Sequence, residues 1–326
     1  MPLKKSNELN FSNKKLKIMI MGRANCGKTT LALSARNVLL IDLESGVSRT
    51  EACYRKDVFD YLDVPDNQKY EALMQDLKTV DLTPYEAIAV DSFGKFMDIA
   101  SYVVKKENQK NVQKDGKTLS QQGYGALGQK AVDFMNLIES LGKHTIWIVH
   151  TTEIKTGDVY KSRVDIVGST KDRIWKDLDL AGYINYRGLK RIISFTPCEE
   201  FDAKGSHGIF GDKDIPELKT TQEGGKLEDN HFLQDLIDIY INNLNEEQRI
   251  YSQDYVIYQN AISKCKPLIE SSTNEEELNA AYAVLKQTDH ALTSKRELWS
   301  ACETKAKELG LKYVSESGTF TKPTEN

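Results

Sequence analysis

Leu16–Leu33 reads LKIMIMGRANCGKTTLAL, and the rest of the chain is organised around it. Gly22 is followed by Arg23, Ala24, Asn25 and Cys26, then by Gly27, Lys28, Thr29 and Thr30. This is the G-x-x-x-x-G-K-[ST] phosphate loop. Its glycines let the backbone curl until successive N–H groups point inward at a β-phosphate. Lys28 is placed to reach the β- and γ-phosphates, and the Thr29 hydroxyl to ligate Mg²⁺. Gly22 through Thr30 are therefore the expected ATP-binding residues. The flanks agree with the motif. Leu16–Met21 is an apolar run of strand length, and Thr29–Arg36 can begin a helix.

Outward from this loop, further apolar runs follow at Val38–Asp42 (VLLID), Glu86–Asp91 (EAIAVD) and Thr145–Val149 (TIWIV), with a short edge strand at Val58–Leu62. Between them, Asn67–Val80, Phe93–Lys106 and Tyr124–Leu141 carry apolar residues at helical spacing. Ala181–Arg187 and Lys190–Phe195 alternate about Gly188 and read as a hairpin. Glu107–Gln122 and Glu153–Lys171 are polar and read as long loops. Apolar strands separated by helices predict an α/β fold, a mainly parallel sheet flanked by helices. Ligands of such sheets bind at the carboxyl ends of the strands, where Gly22, Asp42, Asp91 and His150 fall.

From about Asn245 the strand signals stop. Glu246–Ile269, Asn274–Gln287 and Thr293–Leu309 read as helices, with Ser272/Glu275 and Thr273/Glu276 as possible capping boxes. The expected organisation is a flexible arm over 1–15, a nucleotide-binding core over 16–244, a small helical region over 245–314 and a disordered tail over 315–326.

Asp91 closes an apolar strand downstream of the phosphate loop, as a Walker B acid does, and there it can hold Mg²⁺ together with Thr29. Ser92 follows it. Hydrolysis also needs a group that polarises water. No glutamate adjoins Asp91, but Asp42-Leu43-Glu44 offers one just past the VLLID strand, so Glu44 is the candidate base. His150 and Thr151 end the TIWIV strand and can sense a γ-phosphate. The expected catalytic set is Lys28, Glu44, Asp91 and His150. His144, His150, His207 and Cys198 show no zinc-site spacing.

The net charge of −4 makes no case for a polyanion, but its distribution is uneven. Residues 1–17 hold five lysines against Glu8, and 102–117 hold five against Glu107 and Asp115. Residues 199–247 hold thirteen acidic and four basic residues. Locally basic segments suit contact with a polyanion, or are ordinary solvated faces. Tyr102, Tyr124 and Tyr160 flank the two polar segments and could stack bases or fill a rim. No apolar run approaches the ~18 residues of a membrane span. The five cysteines are scattered without a C-x-x-C pair, as in a cytoplasmic protein with reduced thiols. Cys26 is either a reactive thiol or a small residue that fits the loop.

The order of phosphate loop, IDLES, AVDS and a polar strand end resembles the RecA/RadA recombinase core over about residues 16–220. It is most similar to phage-encoded, short, AAA-type ATPases of the single-strand-annealing (Sak-type) group. That resemblance implies a RecA-like P-loop NTPase fold, ATP with Mg²⁺, a homo-oligomer with nucleotide at subunit interfaces, and annealing or recombination of single-stranded DNA, in concert with a single-strand-binding protein. It places DNA-binding loops at Lys105, Lys106, Lys110, Lys114 and Lys117, and at Lys155, Lys161 and Arg163. It offers Lys204, in Asp202-Ala203-Lys204-Gly205, as a residue acting on a neighbour's nucleotide. Ser206 and His207 stand where a second basic residue is expected, and Arg187, Lys190 and Arg191 are alternatives. Two other classes remain open. One is a nucleotide-gated replication accessory or helicase-loader-like interaction protein. The other is a small-molecule kinase, against which stands the lack of arginine in 102–122.

Overall fold

The computed structural model describes residues 3–156, 159–166, 168, 170–217 and 230–323. These divide into two compact units, residues 13–243 and residues 1–12 with 244–326.

In the first unit each apolar run becomes a strand because both of its faces are covered. β1 (Lys17–Gly22) leads through the phosphate loop to α1 (Lys28–Ala32), and β2 (Val38–Asp42) and β3 (Val58–Asp60) follow. Next come α2 (Lys69–Thr79), β4 (Ala87–Asp91), α3 (Phe93–Glu107), α4 (Gln121–Ser140) and β5 (His144–Thr156). The unit continues with β6 (Val159–Val164), α5 (Thr170–Asp177), β7 (Leu180–Arg187), β8 (Lys190–Ser194) and β9 (Asp212–Asp214). The nine-stranded sheet runs β3-β2-β4-β5-β1-β7-β8-β9; β6 lies off this path, paired with β5 and bridged at Ser162 to Phe201. Pairing is parallel from β3 to β7, whereas β6, β8 and β9 pair antiparallel. β2 and β4 are buried along their whole length. Their side chains meet an aromatic cluster between sheet and helices, in which Phe96 and Phe134 stack at 4.0 Å and Phe93 meets the edge of Trp147 at 5.2 Å. Burying each such ring contributes roughly 2–3 kcal/mol.

Several elements differ from the sequence expectation. α1 is one short turn that ends at Ala32 instead of Arg36. The Glu153–Lys171 segment is not a loop. β5 continues to Thr156 and folds back through β6, with Lys155 opposite Tyr160 and Thr152 opposite Arg163. α5 then starts at Thr170. Residues 108–120, between α3 and α4, hold one 3₁₀ turn and close on themselves. Val112 bridges Leu119, and Asp115 accepts from the Lys117 and Thr118 amides at 2.9 Å each. α6 (Phe232–Ser271) is one helix that begins well before Glu246.

In the second unit, the later part of α6 is followed by α7 (Glu275–Gln287), α8 (Ser294–Glu308) and a hairpin of β10 (Lys312–Val314) with β11 (Thr319–Thr321). Leu278, Leu285, Leu298 and Cys302 form its core with Phe320, which is 1 % exposed. The expected disordered tail is therefore corrected over 319–321, where burial of Phe320 fixes the strand; residues 324–326 lie outside the described residues. The helix cap is also displaced by one position. Asn274 accepts from the Glu277 amide at 3.0 Å, and Glu277 accepts from the Thr273 amide at 2.7 Å. The N-terminal arm is held as well, since Gln248 donates to the Ser6 carbonyl at 2.7 Å and Ser252 to that of Asn7 at 2.9 Å.

Candidate nucleotide site

The sheet register decides which residues can meet. β5 lies between β1 and β4, with Gly22 paired to His150 and Asp91 to Ile148. His150 is thereby interposed between the phosphate loop and the Asp91 strand. β2 pairs with β4 on the far side, which brings the Glu44 turn over Asp91.

The loop reverses at Gly27, whose φ of +87° is open to glycine at no steric cost. Lys28 is 5 % exposed. Its ammonium donates to the carbonyls of Gly22 (3.1 Å) and Arg23 (2.7 Å) and to His150 Nδ1 (3.2 Å). Burial lowers its pKa, while Cys26, Asp91 and Glu44 oppose the shift. Thr29 Oγ1 donates to Asp91 Oδ2 at 2.5 Å. Burial pushes the Asp91 carboxyl up, against the pull of the Thr29 hydrogen bond.

Glu44 is placed by Asp42. That carboxylate accepts from the backbone of Glu44 (3.2 Å), Gly46 (2.8 Å) and Val47 (2.8 Å), which folds the chain back over the strand end. Glu44 Oε2 lies 3.1 Å from His150 Nε2, and Ser92 Oγ donates to Glu44 Oε1. The His150 hydrogen bond is the main cause that holds Glu44 at a pKa of about 2; burial opposes it and Ser92 adds to it. Lysine only donates, so Lys28 fixes Nδ1 as the acceptor and leaves Nε2–H to donate to Glu44. Ser92 also caps α3 by accepting from the Lys95 amide, and the Asp91–Ser92 peptide bond is cis.

Lys28, Thr29, Glu44, Asp91 and His150 line a cavity of about 450 Å³ together with Ala24, Asn25, Thr30, Gly46, Arg49 and Thr50. That volume lies within the range of small-ligand sites. Gly46 is required there, because a Cβ would stand 2.7 Å from Asp91 Oδ2. Thr29 and Asp91 offer the hard oxygen donors that Mg²⁺ takes, and phosphate and water commonly complete its shell, so the residues present fit the ion. Sequence reasoning missed Gly46, Arg49 and Thr50. Their only signal is proximity to Glu44 in the chain.

The remaining expected residues scatter. The Arg23 guanidinium pairs with Glu153 on β5. Cys26 is 4 % exposed, and burial raises its thiol pKa against the pull of Lys28, which favours the reading as a small residue that fits the loop. Lys204 forms an antiparallel backbone bridge with Ala181, and its ammonium donates to the Leu178 carbonyl. Lys105 and Lys106 occupy the last turn of α3, while Lys110, Lys114 and Lys117 sit on the closed 107–120 segment. Lys155 lies 5.8 Å from the Tyr160 ring, and Lys161 pairs with Asp202 at 2.6 Å. Arg163 borders a separate cavity with Lys171 and Trp175. Among the described residues, the Thr151 hydroxyl is buried without a hydrogen-bond partner, and His150 is the strand-end residue that joins the cleft.

The parallel strand order and the phosphate loop define an α/β P-loop nucleotide-binding fold. Residues 14–207 match the AAA domain family, and the chain belongs to that family. No curated protein matches the chain. Among solved structures it is similar to the RadB recombinase, at 14 % identity and a TM-score of 0.34, over 55 % of this chain and 79 % of that one. It is also similar to the flagellar accessory protein FlaH from Methanocaldococcus jannaschii, at 13 % identity and a TM-score of 0.31, over 55 % and 76 %. At these values the two likenesses carry no argument about activity. No helix among the described residues is long and apolar enough to cross a membrane.

Proposed function

We propose that the protein is an Mg²⁺-dependent ATPase that binds single-stranded DNA as a homo-oligomer and promotes annealing or recombination. The observation that carries the reading is the chain of contacts Lys28–His150–Glu44–Ser92 beside the Thr29–Asp91 pair. Bound Mg²⁺ would neutralise phosphate charge at Thr29 and Asp91. Glu44 stays ionised at neutral pH. Each of its oxygens has a second acceptor position, so it can orient an attacking water while held by His150 and Ser92. A carboxylate of so low a pKa is a weak base, and orientation of water is its main contribution.

The same contacts couple the cleft to the hairpin. Lys28 has three N–H donors and three protein acceptors, of which His150 is the most distant. A phosphate oxygen that Lys28 binds must displace one of them. Release of His150 would act on β5, which continues directly into the β5–β6 hairpin bearing Lys155, Lys161, Arg163 and Tyr160. Lysine and arginine beside an exposed tyrosine suit phosphate contact and base stacking.

The test is hydrolysis of ATP by the purified protein with Mg²⁺, with EDTA, and with Lys28→Ala as the blank. Turnover that needs Mg²⁺ and falls at least about 100-fold in Lys28→Ala is expected, since the variant loses the cation on the transferring phosphoryl group. Turnover unchanged by the substitution would refute the reading.

A further inference from the structure

The phosphate loop has a second cation that the motif does not contain. β8 runs antiparallel to β7, so its first residues lie at the same sheet edge as the carboxyl ends of β1 and β5. Arg191 pairs there with Tyr186. Its side chain crosses to the loop, and a Cβ built on Gly27 would stand 2.1 Å from Arg191 Nη1. Glycine at position 27 therefore does two things. It permits the left-handed turn, and it leaves room for a guanidinium against the backbone.

Two cations, Lys28 and Arg191, border the turn. The carboxylates of the cleft, Glu44 and Asp91, are bound to His150 and Thr29. Among the described residues, the Arg191 guanidinium has no carboxylate within ion-pair distance, whereas its neighbours Arg187 and Lys190 pair with Asp212 and Asp214. A planar fork of N–H donors, held on a loop whose own amides converge, matches the geometry of a phosphate group.

We propose that Arg191 is a phosphate-binding residue acting in cis, and that it contacts the part of the nucleotide shared by ADP and ATP. The inference rests on the nucleotide reading of the cleft and deepens it. It also separates Arg191 from a residue that reaches a neighbouring subunit. Because Gly27 begins the Gly-Lys-Thr turn that cradles the inner phosphates, Arg191 faces that end of the ligand, while Lys28 and Thr29 face the γ-phosphate and metal.

The experiment is equilibrium binding of ADP and of a non-hydrolysable ATP analogue to the full-length protein, to Arg191→Ala and Arg191→Gln, and to Lys190→Ala on the same strand. Thermal melting runs in parallel, and Arg191→Gln serves if the alanine variant melts early. Both nucleotides are expected to lose affinity by the same factor in the Arg191 variants, about 10- to 100-fold, as for a charge-assisted hydrogen bond. Lys190→Ala is expected to bind within about twofold of the parent, as for an exposed ion pair. Unchanged ADP affinity in folded Arg191 variants overturns the proposal, and so does a loss confined to the ATP analogue. A parent protein that binds neither nucleotide would refute the nucleotide reading itself, and with it the inference.

Discussion

The two halves of β5 are one strand with two physical characters. Residues 144–149 lie between β1 and β4, and Ile146, Trp147, Ile148 and Val149 are at most 3 % exposed. Beyond His150 the strand pairs with β6 alone, and Ile154 and Tyr160 are 44 % and 59 % exposed. The inner half is fixed by neighbours on both sides, so its end residue is held within hydrogen-bond distance of Lys28 and Glu44. The outer half has backbone pairing on one edge only, and its side chains are left to meet something else. Under the proposed function, a strand that delivers His150 into the cleft and then carries Lys155 outward would act as a lever between nucleotide and polyanion, because both would act on one backbone.

Breaking the joint between the halves should have the larger effect. Glu44→Gln keeps the shape of the side chain but removes the charge that His150 and Ser92 hold. Steady-state turnover is expected to fall at least about 100-fold, with ATP affinity within about threefold of the parent. Equal turnover in variant and parent would remove Glu44 from the mechanism.

A smaller effect is expected at the buried start of the strand. His144 Nδ1 accepts from the Leu16 amide at 3.1 Å, and burial, with Lys15 adding, holds its pKa at about 4. A histidine whose folded pKa is depressed contributes stability that is present above its unfolded value, near 6.5, and lost as pH falls through about 4. The unfolding free energy should therefore decline between pH 6.5 and 4, by about 3 kcal/mol. His144→Gln should flatten that decline. A variant with the parent's slope would assign the acid sensitivity elsewhere.

The same contrast explains what the sequence could disclose. The phosphate loop is readable because the turn demands glycine at fixed spacing, and the core strands because two covered faces demand unbroken apolar runs. The outer half of β5 and all of β6 lack such a run. Their alternation is among polar residues, so they read as a loop. The 107–120 segment has the same lysine-rich text yet closes on itself through Asp115, buried Asn111 and buried Leu119. Composition does not distinguish the two segments; capping and burial do. Lys204 entered through the resemblance alone, and only tertiary folding shows that its ammonium donates to the Leu178 carbonyl. Arg49 reaches the cleft from the turn after β2 and Arg191 reaches Gly27 from β8, both through tertiary folding, and no local pattern announces either contact.

The most direct test of the lever is ATP hydrolysis titrated with single-stranded and with duplex DNA, for the parent and for a Lys155→Ala/Lys161→Ala/Arg163→Ala variant. Single strands should stimulate the parent more than duplex does. The stimulation should weaken as salt rises, because phosphate contacts release counterions. The triple variant should keep its unstimulated turnover and lose most of the stimulation. Hydrolysis by the parent that is indifferent to DNA would contradict the account and assign the hairpin to a protein partner in a nucleotide-gated assembly.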